Sequence, residues 1–484
     1  MNYYLGVDQG SNSSRAVLFD NNGKVVANAS QKVTLNRSNT GCVEHDAGQL
    51  LDTVTRVIQQ VLSGLDKKQL EQVAACGIAS QRSTVLAWDV NGRALSPALS
   101  WQDVRAENLL EKLRPHEQEI RRLTGLPLTA YYSASKMHWL LSESDSVKQC
   151  AHDELRLSPL MSYLLFHLVE NKPYVIDFSN AQRTQLFELD SLTWSQRLCH
   201  WFDVDQRLLP ECMPMCADYG QLAGTRIPLT AVCGDQNAAM FGIGAVDRGV
   251  ALVNLGSGAF ILRELDQFSN STDQLTGIAY SDSNHVSYMR EATVNGAGNA
   301  LNWAEQHWHI EHLFDRLPRW MKQVDQAPVF INSVGGLGTP WMQAGLHSSF
   351  IGNGNFTDAE KVVAVIESIV FMLQVNLELM TAQAPLKRLR VSGGLSKLDG
   401  LCQKLSNLSG LELERANVIE ATARGVAWLA AGRPPNWNSV ESEKSEECMR
   451  FVPQQDKTLQ ARYQLFKTGM KRMLDDVQHA GAGK

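Results

Sequence analysis

The chain contains 484 residues, of which 44% are hydrophobic and 20% are charged, and its formal net charge is −6. This length exceeds the roughly 100–200 residues of an average domain, so we expect two sizeable domains. The acidic balance and the lack of a basic run exclude the charge pattern of a nucleic-acid-binding protein, and no continuous apolar stretch of about 18 residues predicts a membrane span. Nine scattered cysteines without a CxxC pair, and an N-terminus without a signal-like segment, predict a cytoplasmic protein.

The first 150 residues predict a sheet flanked by helices. Asn21-Asn22-Gly23 and Val90-Asn91-Gly92 each separate two apolar stretches, which is the pattern of a β-hairpin. Apolar residues spaced by three and four predict helices over 47–64, 105–122 and 134–145. Because strands and helices alternate here, we expect helices packed on a mixed sheet.

The second half repeats this order of elements. Residues 227–244 predict a strand, a Gly-Asp break and a helix, and residues 250–265 predict two strands joined by a Gly-Ser-Gly turn. Residues 386–407 predict a strand, a Gly-Gly turn and a helix. Longer helices are predicted over 358–380 and over about 455–475.

Two halves with the same order of elements indicate duplication of one sheet-and-helix unit, with a cleft between the copies. The repeat is far longer than that of a solenoid protein, so it indicates two domains and not an array. We place the boundary near 240–247 and assign the two domains to residues 1–243 and 244–484.

The stretch YLGVDQGSNSSRAVLFD at 4–20 interrupts an apolar pattern with Asp8, a glycine, four small polar residues and Arg15. Gly10 allows a tight turn and a close approach of the backbone to a ligand, and the small residues expose amides and hydroxyls that suit phosphate oxygens. Arg15 adds a fixed positive charge, and Asp8 at a strand end offers the hard oxygen ligands that Mg²⁺ prefers. A polar hairpin turn explains the same residues equally well.

Four later turns have the same two kinds of explanation. Gly234-Asp235-Gln236-Asn237 places a carboxylate at a strand end, where Asp235 is either a helix N-cap or a general base for a hydroxyl. Residues 255–258, 296–299 and 392–395 combine glycines with small residues, as phosphate turns and ordinary turns both do. Together these turns supply what phosphoryl transfer requires: a phosphate cradle, a magnesium site and a base that orients the acceptor hydroxyl.

Short segments that follow one another from residue 4 to about 430 are similar to one known series of motifs. The earlier segments are DQGSNSSR (8–15), GCVEHD (41–46), QR (81–82), WQDVR (101–105), TGL (124–126), YYSASK (131–136) and DFSNAQRT (177–184). The later segments are GDQ (234–236), GSG (256–258), GGLGTP (335–340), SGG (392–394) and ATARG (421–425). In this order they resemble the motifs of the FGGY family of carbohydrate kinases, and within it most closely those of the glycerol kinases.

The resemblance implies an α/β fold in which two ribonuclease H-like domains of the actin and hexokinase type flank an ATP cleft. The implied reaction is transfer of the ATP γ-phosphate, with Mg²⁺, to a hydroxyl of a small polyol or sugar. The first domain then carries the acceptor pocket and the first phosphate loop, and the second binds the nucleotide. The resemblance also implies a homodimer or homotetramer, whereas the charge and the lack of an apolar run predict no nucleic-acid and no membrane partner.

The resemblance assigns roles to individual residues of this chain. Asp235 is implied as the catalytic base, and Asp8 and Asp235 are implied to lie at the magnesium ion. The residues implied to line the acceptor pocket are Arg82, Ser83, Trp101, Tyr131, Asp235 and Gln236. The residues implied to bind ATP are Ser11, Asn12, Ser13, Arg15, Ser257, Gly298, Asn302, Gly394 and Leu395.

The chain departs from the family pattern at two places that bear on function. Ser83 stands where glycerol kinases have a glutamate that holds substrate hydroxyls, and a lost hydrogen-bond acceptor changes substrate selection strongly. The change favours a larger polyol or a ketose, although the other pocket residues keep glycerol as a candidate. Leu398 and Asp399 stand where the family commonly has asparagines beside the adenine.

Two other classes of function remain open from the sequence. The altered adenine loop and Ser83 are also compatible with a catalytically weak or silent regulator that binds a sugar or nucleotide on the same fold. An actin-like ATPase that assembles into filaments is a third interpretation, against which the acceptor-pocket residues argue.

Overall fold

The structure is a computed structural model that describes residues 2–38, 41–242, 244, 246, 248–265, 267–343, 345–416, 420–437 and 448–482. Its strands, in chain order, are β1 Tyr3–Gln9, β2 Ser13–Asp20, β3 Val25–Lys32, β4 Asn36–Arg37, β5 Val43–His45, β6 Val73–Ser80, β7 Val85–Asp89, β8 Ala98–Leu99, β9 Leu155–Pro159, β10 Val175–Asp177, β11 Phe187–Glu188, β12 Thr193–Trp194, β13 Glu211–Met213, β14 Leu229–Gly234, β15 Val250–Leu255, β16 Ala259–Leu265, β17 Leu275–Ser281, β18 Val286–Val294, β19 Phe330–Ile331, β20 Ser349–Phe350, β21 Arg388–Ser392, β22 Glu412–Ala416 and β23 Cys448–Phe451.

The α-helices, in chain order, are α1 Ala47–Ser63, α2 Lys67–Glu71, α3 Glu107–Leu113, α4 Glu117–Thr124, α5 Ser133–Glu143, α6 Asp145–Lys148, α7 Leu160–Leu168, α8 Phe178–Gln182, α9 Gln196–Trp201, α10 Asp235–Met240, α11 Gly298–His307, α12 Leu313–Gln323, α13 Asp358–Gln383, α14 Asp399–Ser409, α15 Ala421–Ala430 and α16 Lys457–Ala482.

Two sheets of the same topology form the two halves of the chain. The first has the order β3-β2-β1-β6-β14, in which β3, β2 and β1 are antiparallel to one another in succession and β6 and β14 run parallel to β1. The second contains the order β18-β16-β15-β21-β22, again with three antiparallel strands followed by two parallel ones. β17 and β23 extend its two edges. This shared order confirms the prediction of two similar sheet-and-helix halves.

The change from one sheet to the other falls between Gly234 and Val250. The proposed boundary between residues 243 and 244 lies in this interval and stays a prediction, and residue 243 itself lies outside the described residues. The later helix α15 returns to the first sheet, where it packs on β1 and β6. A Cβ atom on Gly6 would lie 2.0 Å from the Ala423 carbonyl oxygen, so glycine is required for this close packing.

Several predicted helices are confirmed with capped ends. Asp46 caps α1 by accepting a hydrogen bond from the Gln49 amide, and the helix buries a stripe of apolar residues against the first sheet. Thr357 and Glu360 form a capping box at the start of α13. α13 is long and apolar enough to cross a membrane, but 83% of its most apolar window is buried inside the protein, so it is the core helix of the second half.

The helix predicted over 105–122 is helical in the structure but is divided in two. The chain forms α3, then a 3-10 turn at Arg114–His116, and then α4, which ends at Gly125 with a φ of 73°. Pro115 lies within the 3-10 turn, and proline lacks the N–H group that a continuous α-helix would use there. The apolar spacing was preserved across the break, which is why spacing alone missed it.

Candidate active site

The predicted phosphate turn lies between β1 and β2. The Gly10 amide donates to the Ser13 carbonyl oxygen at 2.9 Å and closes the turn. Asp8 and Arg15 are paired across the two strands, so they lie side by side at the edge of the first sheet. The Arg15 guanidinium donates to Glu420 Oε2 at 2.8 Å, which ties the turn to the residue that precedes α15.

A chain of hydrogen bonds joins this turn to the predicted acceptor pocket. Trp101 Nε1 donates to Ser11 Oγ at 2.9 Å, and Ser11 Oγ donates to Gln81 Oε1 at 3.2 Å. Gln81 is buried and its amide also donates to Gln9 Oε1 at 3.2 Å. Asn12 is exposed at the tip of the same turn. Ser11 and Trp101 were predicted for ATP and for the acceptor respectively, and their contact shows that the two predicted sites adjoin.

Asp235 lies at the point where β14 passes into α10. The helix N-cap is Gly234, and Asp235 is the first helical residue, so the interpretation of Asp235 as the N-cap is wrong. Gly234 pairs with Ser80 across the parallel strands β14 and β6, so Asp235 follows beside Gln81 and Arg82. Its Oδ1 lies 3.7 Å from Arg82 Nε, and its side chain is 26% exposed. The carboxylate is therefore accessible to a ligand while it faces a cation.

The environment raises the pKa of both predicted acidic residues of the cleft. Burial raises the pKa of Asp235, and the Arg82 guanidinium opposes this shift. Burial, together with the neighbouring Asp235 carboxylate, raises the pKa of Asp8 to about 7. Two carboxylates that disfavour one another's ionisation in one cleft are a suitable pair for a cation or for a proton.

Aromatic rings form one wall of the predicted acceptor pocket. The ring centroids of Trp101 and Tyr131 are 5.2 Å apart, and Tyr131 packs edge-on against Tyr132. Burial raises the pKa of the Tyr131 hydroxyl, which is therefore a neutral hydrogen-bonding group. The side-chain nitrogen of the buried Lys136 donates to the carbonyl oxygens of Ala130 and Tyr131 at 3.0 and 2.8 Å, which fixes this part of the wall.

Ser83 adopts a left-handed backbone conformation with a φ of 63°. Its hydroxyl donates to the Arg183 carbonyl oxygen at 3.2 Å, and the residue is 1% exposed. The position therefore brings no charged acceptor to the pocket, and its hydroxyl already has a backbone partner.

The glycine turns of the second half adjoin one another at the ends of β15 and β21. The amide of Asn299 donates to the Ser257 carbonyl oxygen at 2.9 Å, and the Gly298 amide donates to the Gly256 carbonyl oxygen at 3.0 Å. These contacts bring together the turn after β15 and the start of α11, and Asn302 lies exposed in that helix. Ser257, Gly298 and Asn302, which are predicted to bind the nucleotide, therefore lie close together in the structure.

The turn after β21 completes this group. Gly393 has a φ of 91°, and a Cβ atom on it would lie 2.5 Å from the Leu255 carbonyl oxygen, so only glycine fits. A Cβ atom on Gly394 would have no heavy atom within 4 Å, so this residue borders open space, whereas Leu395 is buried. Asn254 Nδ2 donates to Gln236 Oε1 at 3.5 Å, and this contact links the acceptor side of the cleft to the glycine turns of the second half.

The loop that the resemblance places beside the adenine is held by an ion pair. Asp399, the first residue of α14, accepts from the Arg415 guanidinium at 2.8 Å, and Leu398 precedes that helix. Asp399 is 60% exposed at its side chain, so its carboxylate remains at the surface of the loop.

Two residues near the site were missed by the sequence analysis. Glu291 on β18 accepts from the guanidinium groups of Arg82 and Arg183 and is 1% exposed. Burial opposes its ionisation, but the two arginines lower its pKa to about 2. Glu420, the partner of Arg15, is the second. The available signal for Glu291 was a charged residue inside the strand-like stretch VSYMREATV, because buried charges in proteins are paired.

The fold and the site define a class of protein. Two duplicated α/β halves, with a phosphate turn and two carboxylates at adjoining strand ends, are the architecture of an ATP-dependent phosphotransferase that acts on a small hydroxyl compound. The sequence matches the FGGY family of carbohydrate kinases, with its N-terminal domain at residues 3–251 and its C-terminal domain at residues 251–432. The chain belongs to the FGGY family of carbohydrate kinases.

Individual relatives support this assignment over the whole chain. The glycerol kinase of Haloferax volcanii is 33% identical, with 98% of each chain covered, and that of Natranaerobius thermophilus is 30% identical, with 94% of this chain and 95% of the relative covered. Among solved structures, Plasmodium falciparum glycerol kinase with ADP superposes with a TM-score of 0.88 at 25% identity, covering 98% of each chain. A xylulose kinase from Lactobacillus acidophilus shares the fold, with a TM-score of 0.85 at 22% identity and coverage of 98% and 99%.

These findings confirm the predicted fold class and the predicted activity. The protein is an ATP-dependent kinase for a small polyol or sugar, with two domains of the actin and hexokinase type. Nothing in the comparisons supports the alternative of a silent regulator.

Proposed function

We propose that the acceptor is a small polyol of the glycerol type or a ketose, and that Asp235 is the catalytic base. The observation that carries this proposal is the 3.7 Å approach of Arg82 Nε to Asp235 Oδ1 beside the aromatic wall of Trp101 and Tyr131. A cation and a base together with flat apolar rings suit a compound that presents both hydroxyls and C–H groups. Ser83 and Gln236 complete the proposed pocket.

In the proposed reaction, Asp235 accepts the proton of the acceptor hydroxyl as that oxygen attacks the γ-phosphorus of ATP. The new phosphate ester forms while the bond from the γ-phosphorus to the bridging oxygen breaks, and ADP leaves. Because the pKa of Asp235 is raised, its carboxylate is a stronger proton acceptor than an exposed aspartate.

The donor set fits a magnesium ion bound together with the nucleotide. Among the described residues, no group of three or more His, Cys, Asp or Glu side chains is arranged to hold a metal by itself. Asp8 and Asp235 offer two carboxylates, and Mg²⁺ characteristically takes one or two carboxylates and completes its shell with phosphate oxygens and water. When bound, the ion neutralises charge on the transferring phosphate.

We propose that ATP lies along the glycine turns of both halves. The residues proposed to contact its phosphates are Ser11, Asn12, Ser13, Arg15, Ser257, Gly298 and Asn302. Gly394 and Leu395 are proposed to lie against the adenine, which is supported by the open space above Gly394. Arg15 is shared with Glu420, so a phosphate would compete with that carboxylate for the guanidinium.

A coupled assay of ADP release with a panel of glycerol, larger polyols and ketoses tests the substrate class. Asp235→Asn is expected to lower kcat on the order of 100-fold or more while ATP binding persists, because the base acts on the acceptor. Asp66→Asn is the matched control, since Asp66 caps the distant helix α2 and asparagine caps helices equally well. Wild-type kcat in Asp235→Asn would show that the base is another group.

We also propose a cytoplasmic enzyme that acts as a homodimer or homotetramer without nucleic-acid or membrane partners. The net charge of −6 and the burial of the apolar helix α13 support the absence of nucleic-acid and membrane partners, and the oligomeric state follows from the family resemblance. Sedimentation equilibrium over a range of protein concentrations tests the oligomeric state.

A further inference from the structure

We infer that Glu291 is a positioning residue of the acceptor site, because its carboxylate holds the Arg82 guanidinium in place from the opposite half of the chain. The inference rests on the proposed function in one respect, namely that Arg82 contributes to the acceptor pocket. It adds a residue from β18 of the second sheet to a pocket whose proposed members all come from the first half or its last turn.

The contact between Glu291 and Arg82 has the geometry of a fixed fork. Arg82 Nη1 donates to Glu291 Oε2 at 3.0 Å, and Arg82 Nη2 donates to Glu291 Oε1 at 3.2 Å. Arg82 is 4% exposed and Glu291 is 1% exposed. A bidentate pair of this kind fixes both the position and the plane of the guanidinium, which a single hydrogen bond cannot do.

The orientation set by Glu291 leaves one edge of Arg82 for the active site. Both Nη atoms face Glu291, and Nε lies 3.7 Å from Asp235 Oδ1. A Cβ atom on Gly234 would lie 2.6 Å from Cγ and from Cδ of Arg82, so the stem of the side chain packs directly on the backbone before Asp235. Gly234 thus limits the path of the stem, and Glu291 fixes the head group.

A second arginine makes Glu291 a junction between the two halves. Arg183 Nη2 donates to Glu291 Oε2 at 2.5 Å, and Arg183 is also buried. Arg82 and Arg183 carry two positive charges, and Glu291 and Asp235 carry two negative charges when ionised. The charges of these four residues therefore balance only when β18, which carries Glu291, packs against the first half.

The residue after Arg82 brings no carboxylate of its own to the pocket. The glycerol kinases that the chain resembles have a carboxylate directly after the pocket arginine, whereas Ser83 has none and donates its hydroxyl to the Arg183 backbone. In this chain the bound carboxylate partner of Arg82 is supplied by the second sheet. The orientation of Arg82 therefore depends on a residue of the second sheet.

The test compares KM and kcat for the acceptor in three variants of the full-length protein, with glycerol as the first acceptor and the most active compound of the polyol and ketose panel as the second. Glu291→Gln is expected to raise the acceptor KM roughly tenfold or more while the KM for ATP changes less than about threefold. Arg82→Met is the reference for loss of the pocket cation and is expected to raise the acceptor KM at least as much. Gln182→Ala is the matched control, because the Gln182 amide also joins the two halves, through the Thr276 carbonyl oxygen at 2.6 Å, but does not contact Arg82.

Gln182→Ala is expected to lower Tm without raising the acceptor KM, which separates positioning from general stability. If Glu291→Gln fails to fold, Glu291→Asp serves instead, since it keeps the charge but withdraws it by one methylene and should give an intermediate rise in KM. An unchanged acceptor KM in the folded Glu291 variant, with a raised KM in Arg82→Met, overturns the inference and leaves the proposed pocket intact. Unchanged values in both variants overturn the inference together with the proposed pocket.

Discussion

Trp101 Nε1 donates to Ser11 Oγ at 2.9 Å, and this contact joins the wall of the proposed acceptor pocket to the turn proposed to hold phosphate. Gln81 accepts from the same serine and also accepts from the Thr84 hydroxyl at 3.0 Å. The Trp101 amide in turn donates to Thr84 Oγ1 at 3.2 Å. A displacement of the indole would therefore be transmitted to the phosphate turn through a closed ring of hydrogen bonds.

Trp101→Phe is expected to raise the KM for ATP as well as that for the acceptor. Phenylalanine keeps an aromatic ring beside Tyr131 but lacks the N–H group, and a lost hydrogen bond of this kind costs about 1 kcal/mol, or roughly fivefold in KM. Initial-rate measurements with each substrate varied separately check both effects. Trp88→Phe is the control, because the Trp88 indole donates to Ser158 and lies elsewhere in the core. An effect confined to the acceptor would show that the ring does not orient Ser11.

Asp8→Asn is expected to lower kcat on the order of 100-fold, because the proposed magnesium site loses one of its two carboxylates and the ion would neutralise the charge on the transferring phosphate less well. The same variant should be more stable than the wild type without nucleotide at neutral and alkaline pH. Burial raises the pKa of Asp8 to about 7 in the folded protein, while an unfolded aspartate titrates near 4. Asp8 therefore stabilises the fold fully below about pH 4, where it is protonated in both states, and this stabilisation is lost as pH rises through about 7.

The Tm difference between Asp8→Asn and the wild type should therefore grow between pH 5 and pH 7 and then level off. Thermal unfolding in matched buffers at pH 5, 6, 7 and 8 measures it. Asp66→Asn is the control for the Asp-to-Asn change itself, since Asp66 lies at an exposed helix cap outside the cleft. A constant difference for Asp8→Asn would mean that its carboxylate is ionised in the folded protein throughout.

The parts of the fold that local sequence patterns specify were predicted well. The turn between β1 and β2, the stripe of α1 and the passage from β14 to Asp235 each depend on residues within a few positions of one another. The spacing of apolar residues and the residue preferences of turns both act over a few positions, so the sequence alone predicts these three features.

The parts that depend on distant partners were not predictable from one sequence. Glu291 meets Arg82 and Arg183 across separations of 209 and 108 residues, and nothing in VSYMREATV indicates which arginines it binds. The left-handed conformation of Ser83 is set by its surroundings, because serine itself disfavours it. The break at Pro115 was visible in the sequence but was outweighed by the apolar spacing on both sides of it.

Lys136→Met is expected to flatten the dependence of stability on pH between about 7 and 10. Burial lowers the pKa of Lys136 to about 7, while an unfolded lysine titrates near 10.4. In this window the unfolded chain binds more protons at this group, so its contribution to stability rises with pH in the wild type. Tm measured from pH 6 to pH 9.5 for both proteins checks the slope. Parallel curves would show that Lys136 keeps its proton in the folded state, held by the carbonyl oxygens of Ala130 and Tyr131.

Ser83→Gly and Ser83→Ala together separate backbone strain from hydroxyl function. Both variants lose the hydrogen bond to the Arg183 carbonyl oxygen, but only glycine adopts a φ of 63° without steric cost. The free energy of unfolding of Ser83→Gly should therefore exceed that of Ser83→Ala by about 1 kcal/mol, which denaturant unfolding curves of the two variants measure. If the Ser83 hydroxyl also serves the acceptor, both variants should raise the acceptor KM to a similar extent, because neither retains the oxygen. A rise in KM in the alanine variant alone would instead assign the effect to the strained backbone beside Arg82.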